Sequence, residues 1–129
     1  MSIDLKKFRV LIVDDYKTML RIIGNLLRQL KFENIDEALD GGEALELLKH
    51  NKYDLIISDW NMEPMNGMEL LKAVRANPNL KHIPFIMVTA ESKTENVIAA
   101  KQAGVTNYIV KPFNAETLRL KLVSVVGEI

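Results

Sequence analysis

Arg9-Val10-Leu11-Ile12-Val13-Asp14-Asp15 is the stretch whose reading decides the fold. Its first five residues form a nearly continuous apolar run, the pattern of a strand buried on both faces of a parallel sheet. The run stops at two adjacent carboxylates. A strand buried on both faces needs parallel neighbours and helices above and below, and the rest of the chain supplies them. Met19, Ile22, Ile23, Leu26, Leu27 and Leu30 recur at helical spacing. A weak strand follows near Ile35 to Ala38, then a helix with Ala44, Leu45, Leu47 and Leu48, opened by Asp40-Gly41-Gly42. Leu55-Ile56-Ile57-Ser58 reads as a third strand. Gly67 precedes a third helix with Leu70, Leu71 and Val74, which stops before Pro78. Phe85-Ile86-Met87-Val88 is a fourth strand. An alanine-rich helix covers about 94–103, with Gly104 as its C-cap. Tyr108-Ile109-Val110 is a fifth strand, and Leu118, Leu122, Val125 and Val126 line the inner face of a last helix. Such alternation predicts an α/β fold, a five-stranded parallel sheet with helices on both faces. Right-handed crossovers leave few topologies.

Length and composition agree. The chain has 129 residues, 48% of them apolar, which suits one domain over 1–129 with a core at about 8–126 and excludes a disordered chain. Its 17 basic and 17 acidic residues cancel, so no nucleic-acid or acidic-membrane partner is expected. Cysteine is absent, which excludes disulfides, thiolate metal sites and a cysteine nucleophile. No signal-peptide pattern follows Lys6-Lys7, and the longest apolar runs are about four residues against the ~20 a membrane helix needs. The expectation is a soluble cytoplasmic monomer.

The polar residues at the strand ends carry the functional information. The first strand runs into Asp14-Asp15, the third into Asp59, the fourth into Thr89 and the fifth into Lys111. Open parallel sheets bind ligands beyond the carboxyl ends of their strands, so these groups converge on one edge. Close carboxylates repel one another and call for neutralisation. Lys111 supplies one charge, and a divalent cation could supply the rest. All-oxygen ligands suit Mg²⁺, Mn²⁺ or Ca²⁺ rather than Zn²⁺. His50 and His82 fall outside the cluster by pattern. A carboxylate can accept a phosphoryl group as an aspartyl-phosphate, a transfer that needs positioning and charge neutralisation. Singly, each residue has an ordinary explanation. Asp15 could be a helix N-cap, Asp59 a turn residue, Thr89 a strand end and Lys111 a solvated lysine. Jointly, complementary groups on four strand ends point to a site. Met62, Met65 and Met68 read as packing.

From about Phe8 to Val126 the sequence resembles a response-regulator receiver domain. The resemblance rests on Leu11-Ile12-Val13-Asp14-Asp15, Leu55-Ile56-Ile57-Ser58-Asp59-Trp60-Asn61-Met62, Val88-Thr89-Ala90-Glu91 and Val110-Lys111-Pro112-Phe113. Within that family it looks most like the single-domain chemotaxis regulators, a known instance of the flavodoxin-like (βα)5 fold with strand order 2-1-3-4-5, so that order is implied by the resemblance and not by the residue pattern.

The resemblance implies roles. Asp59 accepts a phosphoryl group from a histidine kinase. Asp15, Asp59 and the Asn61 backbone carbonyl hold Mg²⁺ (Mn²⁺ as a substitute), with Asp14 contributing through water. Lys111 pairs with the phosphoryl group, Thr89 moves toward it, and Tyr108 turns inward behind it. Asn61 and Glu91 tune the phosphoryl lifetime, and their identities imply a short one. A cis Lys111-Pro112 bond is implied as well. One departure is that Met62 is followed by Glu63, with proline at Pro64. Glu63 either modulates metal affinity or kinase docking, or is a solvated loop residue.

No DNA-binding segment follows, so output is expected through a protein contact. The family's output face would include Val97, Tyr108 and Lys121. The implied partner is the flagellar motor switch, with a phosphatase as a further partner. Alternatives within the family are a phosphorelay intermediate and a phosphate sink. A Mg²⁺-dependent phosphohydrolase is a rival of another class, but no second acid beside Asp59 serves as general acid. A flavin module on this fold is disfavoured because Asp14-Asp15 would repel the flavin phosphate. The expectation is therefore a phosphoacceptor and not an enzyme with external substrates.

Overall fold

The computed structural model describes residues 7–90, 94–111 and 113–126. Strands and helices alternate through the chain. They are β1 (Arg9–Val13), α1 (Lys17–Gln29), β2 (Asn34–Ala38), α2 (Gly41–His50), β3 (Leu55–Asp59), α3 (Gly67–Ala76), β4 (Phe85–Thr89), α4 (Thr94–Gln102), β5 (Asn107–Val110) and α5 (Ala115–Val126). The strands form one parallel sheet in the order β2-β1-β3-β4-β5. This is the flavodoxin-like arrangement. Its order reverses between β1 and β3, which opens a crevice at their carboxyl ends.

Period-two alternation divides each central strand between two cores. Leu11, Val13, Ile56, Phe85 and Met87 pack with Ala44, Leu48, Leu70, Leu71 and Val74 from α2 and α3. Val10, Ile12, Leu55, Ile57, Ile86 and Val88 pack with Leu20, Ile23, Leu27, Leu118 and Leu122 from α1 and α5. The β1 run is therefore apolar throughout because both of its faces are covered. β2 is an edge strand and carries Asp36 and Glu37, which explains its weak apolar signal.

Local chemistry sets the helix ends. Asn66 accepts from the Glu69 backbone N–H at 2.8 Å, and the Glu69 side chain accepts from the Asn66 N–H at 3.2 Å, a complete capping box that starts α3. Asp40 caps α2 by accepting from the Glu43 N–H at 2.8 Å. Beyond α4, Gly104 has φ +97°. Its N–H donates to Lys101 O and the Val105 N–H to Ala100 O, which is a Schellman motif. The same pair of bonds closes α1, from Lys31 to Arg28 O and from Phe32 to Leu27 O, but here Lys31 holds the left-handed position at φ 79°.

Arg75 on α3 ties two connections together. Its guanidinium donates to Gly104 O at 2.8 Å and to Ile83 O at 2.7 Å. No described helix is long and apolar enough to cross a membrane.

Candidate functional site

The acid site is assembled by strand ends. β1 delivers Asp14 and Asp15 to the crevice, and β3 delivers Asp59. Asp14, Asp59 and Thr89 are almost wholly buried, 1%, 5% and 2% exposed, whereas Asp15 is exposed. One carboxylate oxygen from each of Asp14, Asp15 and Asp59 lies within 4.8 Å of the others. The ammonium of Lys111, just beyond β5, reaches Asp59 Oδ1 at 2.9 Å. Sheet geometry holds these residues in place. Trp60 N–H donates to Val88 O at 2.9 Å and Lys111 N–H to Thr89 O at 2.8 Å, so β3, β4 and β5 stay in register past their ends.

Asp14 is the most informative of the acids. Its Oδ1 accepts from the Tyr16 backbone N–H at 2.9 Å, while its Oδ2 is buried and accepts no hydrogen bond among the described residues. Burial is the largest influence and pushes its pKa up to about 6. The Tyr16 N–H opposes this, Asp59 adds to it, Lys111 opposes it and Asp15 adds to it. A buried carboxylate oxygen without a donor is costly unless something else satisfies it. The all-oxygen donor set and this orphaned oxygen fit a hard divalent cation. The cluster could therefore hold such an ion.

Asp15 is not the N-cap of α1. Tyr16 occupies that position without a side-chain cap, so the ordinary explanation for Asp15 fails. Glu63 is exposed, Glu63-Pro64 is a cis peptide, and the Asn61 side chain is exposed beside the acids in sequence. Glu91 and Pro112, including the implied cis Lys111-Pro112 bond, lie outside the described residues. Val97 is half-buried on α4. Tyr108 is half-buried on β5, and the Lys121 ammonium from α5 sits 5.1 Å from its ring centroid. His50 pairs with Glu46 at 3.1 Å on α2. Both histidines line a cleft of about 600 Å³, together with Tyr53 and Ile83, that contains none of the acid-site residues.

Gly67 is the residue that sequence reasoning missed as part of the site. A Cβ there would lie 2.3 Å from Asp59 O and 2.9 Å from Trp60 Cα. Its N–H donates to Trp60 O at 2.9 Å, which folds the loop back on the end of β3. In sequence it marks only a helix start, and nothing nearby signals the close approach.

Residues 10–123 match the family model for the response regulator receiver domain. The chain belongs to that family. A curated relative, the chemotaxis protein CheY-3 of Vibrio cholerae, is 55% identical over 117 residues, covering 91% of this chain and 90% of that protein. The solved structure of Vibrio cholerae CheY4, crystallised at pH 4.0, superposes with a TM-score of 0.86 at 38% identity, covering 92% of this chain and 98% of that one. The receiver domain of a Pseudomonas aeruginosa sensor histidine kinase, solved with a magnesium ion coordinated in its active site cleft, superposes with a TM-score of 0.84 at 26% identity, covering 94% and 98%. As a receiver domain this chain is a phosphoacceptor regulator in a two-component system and works with a histidine kinase.

Proposed function

We propose that Asp59 is the phosphoacceptor and that its phosphorylation switches binding to a protein of the flagellar motor, in the cytoplasm and as a monomer. The observation that carries the chemistry is the convergence of three carboxylates and one ammonium on the switch-point edge, with an Asp14 oxygen left without a donor among the described residues. The output rests on likeness to chemotaxis regulators.

Asp14, Asp15, Asp59 and the Asn61 backbone carbonyl would hold Mg²⁺, as suggested also by the ion in the Pseudomonas receiver. When bound, the cation offsets carboxylate charge and the negative charge of an incoming phosphoryl group. The chain's own residues do the rest. A carboxylate oxygen of Asp59 forms a bond to phosphorus as the P–N bond of the kinase phosphohistidine breaks, and that electron pair leaves with the imidazole nitrogen. Lys111, 2.9 Å from Asp59 Oδ1, is placed to meet a phosphoryl oxygen. Thr89, buried at the end of β4, offers a hydroxyl that moves toward the new group. Tyr108 follows it inward and changes the output face, which also carries Val97 and Lys121. By likeness to the family, Asn61 and Glu91 tune the lifetime of the phosphoryl state and keep it short.

The test is intact mass after mixing with Mg²⁺ and a small acyl phosphate, beside Asp59→Asn. One added phosphoryl group, lost in the variant and without metal, is the expected result. No adduct, together with no beryllofluoride-dependent change in Trp60 emission, would overturn the phosphoacceptor reading. A phosphorylated protein that ignores a motor-switch peptide would overturn the motor output and leave a phosphate sink or relay role.

A further inference from the structure

We infer that Lys121 is a latch on the Tyr108 ring that holds the chain in its resting conformation. The inference rests on the proposal that Tyr108 moves when Asp59 is phosphorylated, and it names the residue that resists that movement.

The Lys121 ammonium lies 5.1 Å from the Tyr108 ring centroid, inside the roughly 6 Å range over which a cation is attracted to an aromatic face. Among the described residues no carboxylate pairs with this ammonium, and the ring is the partner the structure shows for its charge. One amide links the two backbones beside this contact. Asn107 Oδ1 accepts from the Tyr108 backbone N–H at 2.8 Å, next to the ring. Asn107 Nδ2 donates to Ser124 Oγ at 2.7 Å, and Ser124 Oγ donates to Lys121 O at 2.7 Å. β5 and α5 are thus stitched together at the point where cation and ring meet. With the backbone fixed to α5 in this way, a ring that turns into the molecule leaves the ammonium behind. The resting state keeps an interaction that the active state lacks, and such a difference is what biases a two-state element.

Linkage makes the latch measurable without knowing the partner. A contact made only in the resting state must weaken binding of anything that favours the active state. Loss of a cation–π contact at a partly exposed site corresponds to about a two- to fivefold change in an equilibrium constant. The experiment titrates beryllofluoride with Mg²⁺, read by Trp60 emission, into wild type, Lys121→Met, Lys121→Arg, Tyr108→Ala and the Tyr108→Ala/Lys121→Met double variant. Methionine keeps the stem and removes the charge. Lys121→Met should bind the phosphoryl mimic about two- to fivefold more tightly, Lys121→Arg should match wild type, and the methionine change should have no effect without the ring. A simple loss of positive charge predicts the opposite sign, weaker binding of the anion. Equal affinities for wild type and Lys121→Met, or tightening that persists in the Tyr108→Ala background, would overturn the latch alone. A wild type that binds no beryllofluoride would overturn the phosphoacceptor reading and the latch with it.

Discussion

Lys111 Nζ stands 2.9 Å from Asp59 Oδ1, although the two residues are 52 positions apart and β4 runs between their strands. The two residues sit at the carboxyl edge of the sheet on either side of β4, whose last residue, Thr89, is buried. Among the described residues this is the one ion pair that the three-carboxylate cluster makes. Replacing it by methionine should lower phosphorylation by an acyl phosphate by on the order of a hundredfold, the typical cost of losing one charge-stabilising donor. The same change should tighten Mg²⁺ binding, because a repulsive charge is gone. Phosphorylation kinetics and a metal titration monitored at Trp60 check the two opposite effects.

Asp14 has its pKa raised from 3.8 to about 6. The folded chain therefore binds more protons than the unfolded chain between about pH 4 and pH 6. Stability of the metal-free protein should fall as pH rises through that window and level off above it. A shift of about two units corresponds to an upper value of about 3 kcal/mol. Asp14→Asn should consequently stabilise the metal-free protein by about 1–3 kcal/mol at neutral pH and flatten the pH profile, while weakening Mg²⁺ binding. Urea unfolding at several pH values, with and without Mg²⁺, reads all of these.

Metal should itself stabilise the native chain. Mg²⁺ at a hundred times its dissociation constant should add about 2.7 kcal/mol to unfolding. The increment should shrink sharply in Asp15→Asn. Thermal melts across a Mg²⁺ series test this, with retained full stabilisation in the variant excluding Asp15 as a ligand.

Gly67 and Gly41 make a paired prediction. A Cβ at Gly67 would meet backbone, Asp59 O at 2.3 Å, whereas a Cβ at Gly41 would meet the Met65 side chain at 2.6 Å. Backbone cannot swing away, but a methionine can. Gly67→Ala should cost about 3 kcal/mol and slow phosphorylation by displacing Asp59, while Gly41→Ala should cost much less and leave phosphorylation unchanged. Denaturant midpoints and phosphorylation rates of the two variants decide it.

Lys31 occupies the left-handed position of the Schellman motif that ends α1, at φ 79°. Glycine fits that conformation without strain. Lys31→Gly should raise stability by up to about 1 kcal/mol, the usual penalty of a side chain there less the entropy glycine gives up on folding. An unchanged or lower urea midpoint would contradict it.

Much of this protein is legible in its sequence. The continuous apolar runs at Val10–Val13, Leu55–Ile57 and Phe85–Val88, alternating with helical patterns, read as strands covered on both faces, and period-two alternation does send their successive side chains to opposite cores. Asp14, Asp15, Asp59, Thr89 and Lys111 could be read as a site because parallel strands put all their carboxyl ends on one edge. Residue type and strand direction are local properties, and a local pattern carries them.

What the tertiary structure decided is distance between residues remote in sequence. Only packing shows that the Tyr16 N–H satisfies one Asp14 oxygen and leaves the other buried without a donor among the described residues. Only the fold of the β3–α3 loop brings Gly67 against Asp59 O. Lys121 and Tyr108 carry no sequence signal of their contact, because an i-to-j approach between a helix and a strand depends on how α5 docks on β5 and not on either segment's own periodicity. Sequence determines which groups each element offers to the edge of the sheet, and the packed structure determines which of them meet.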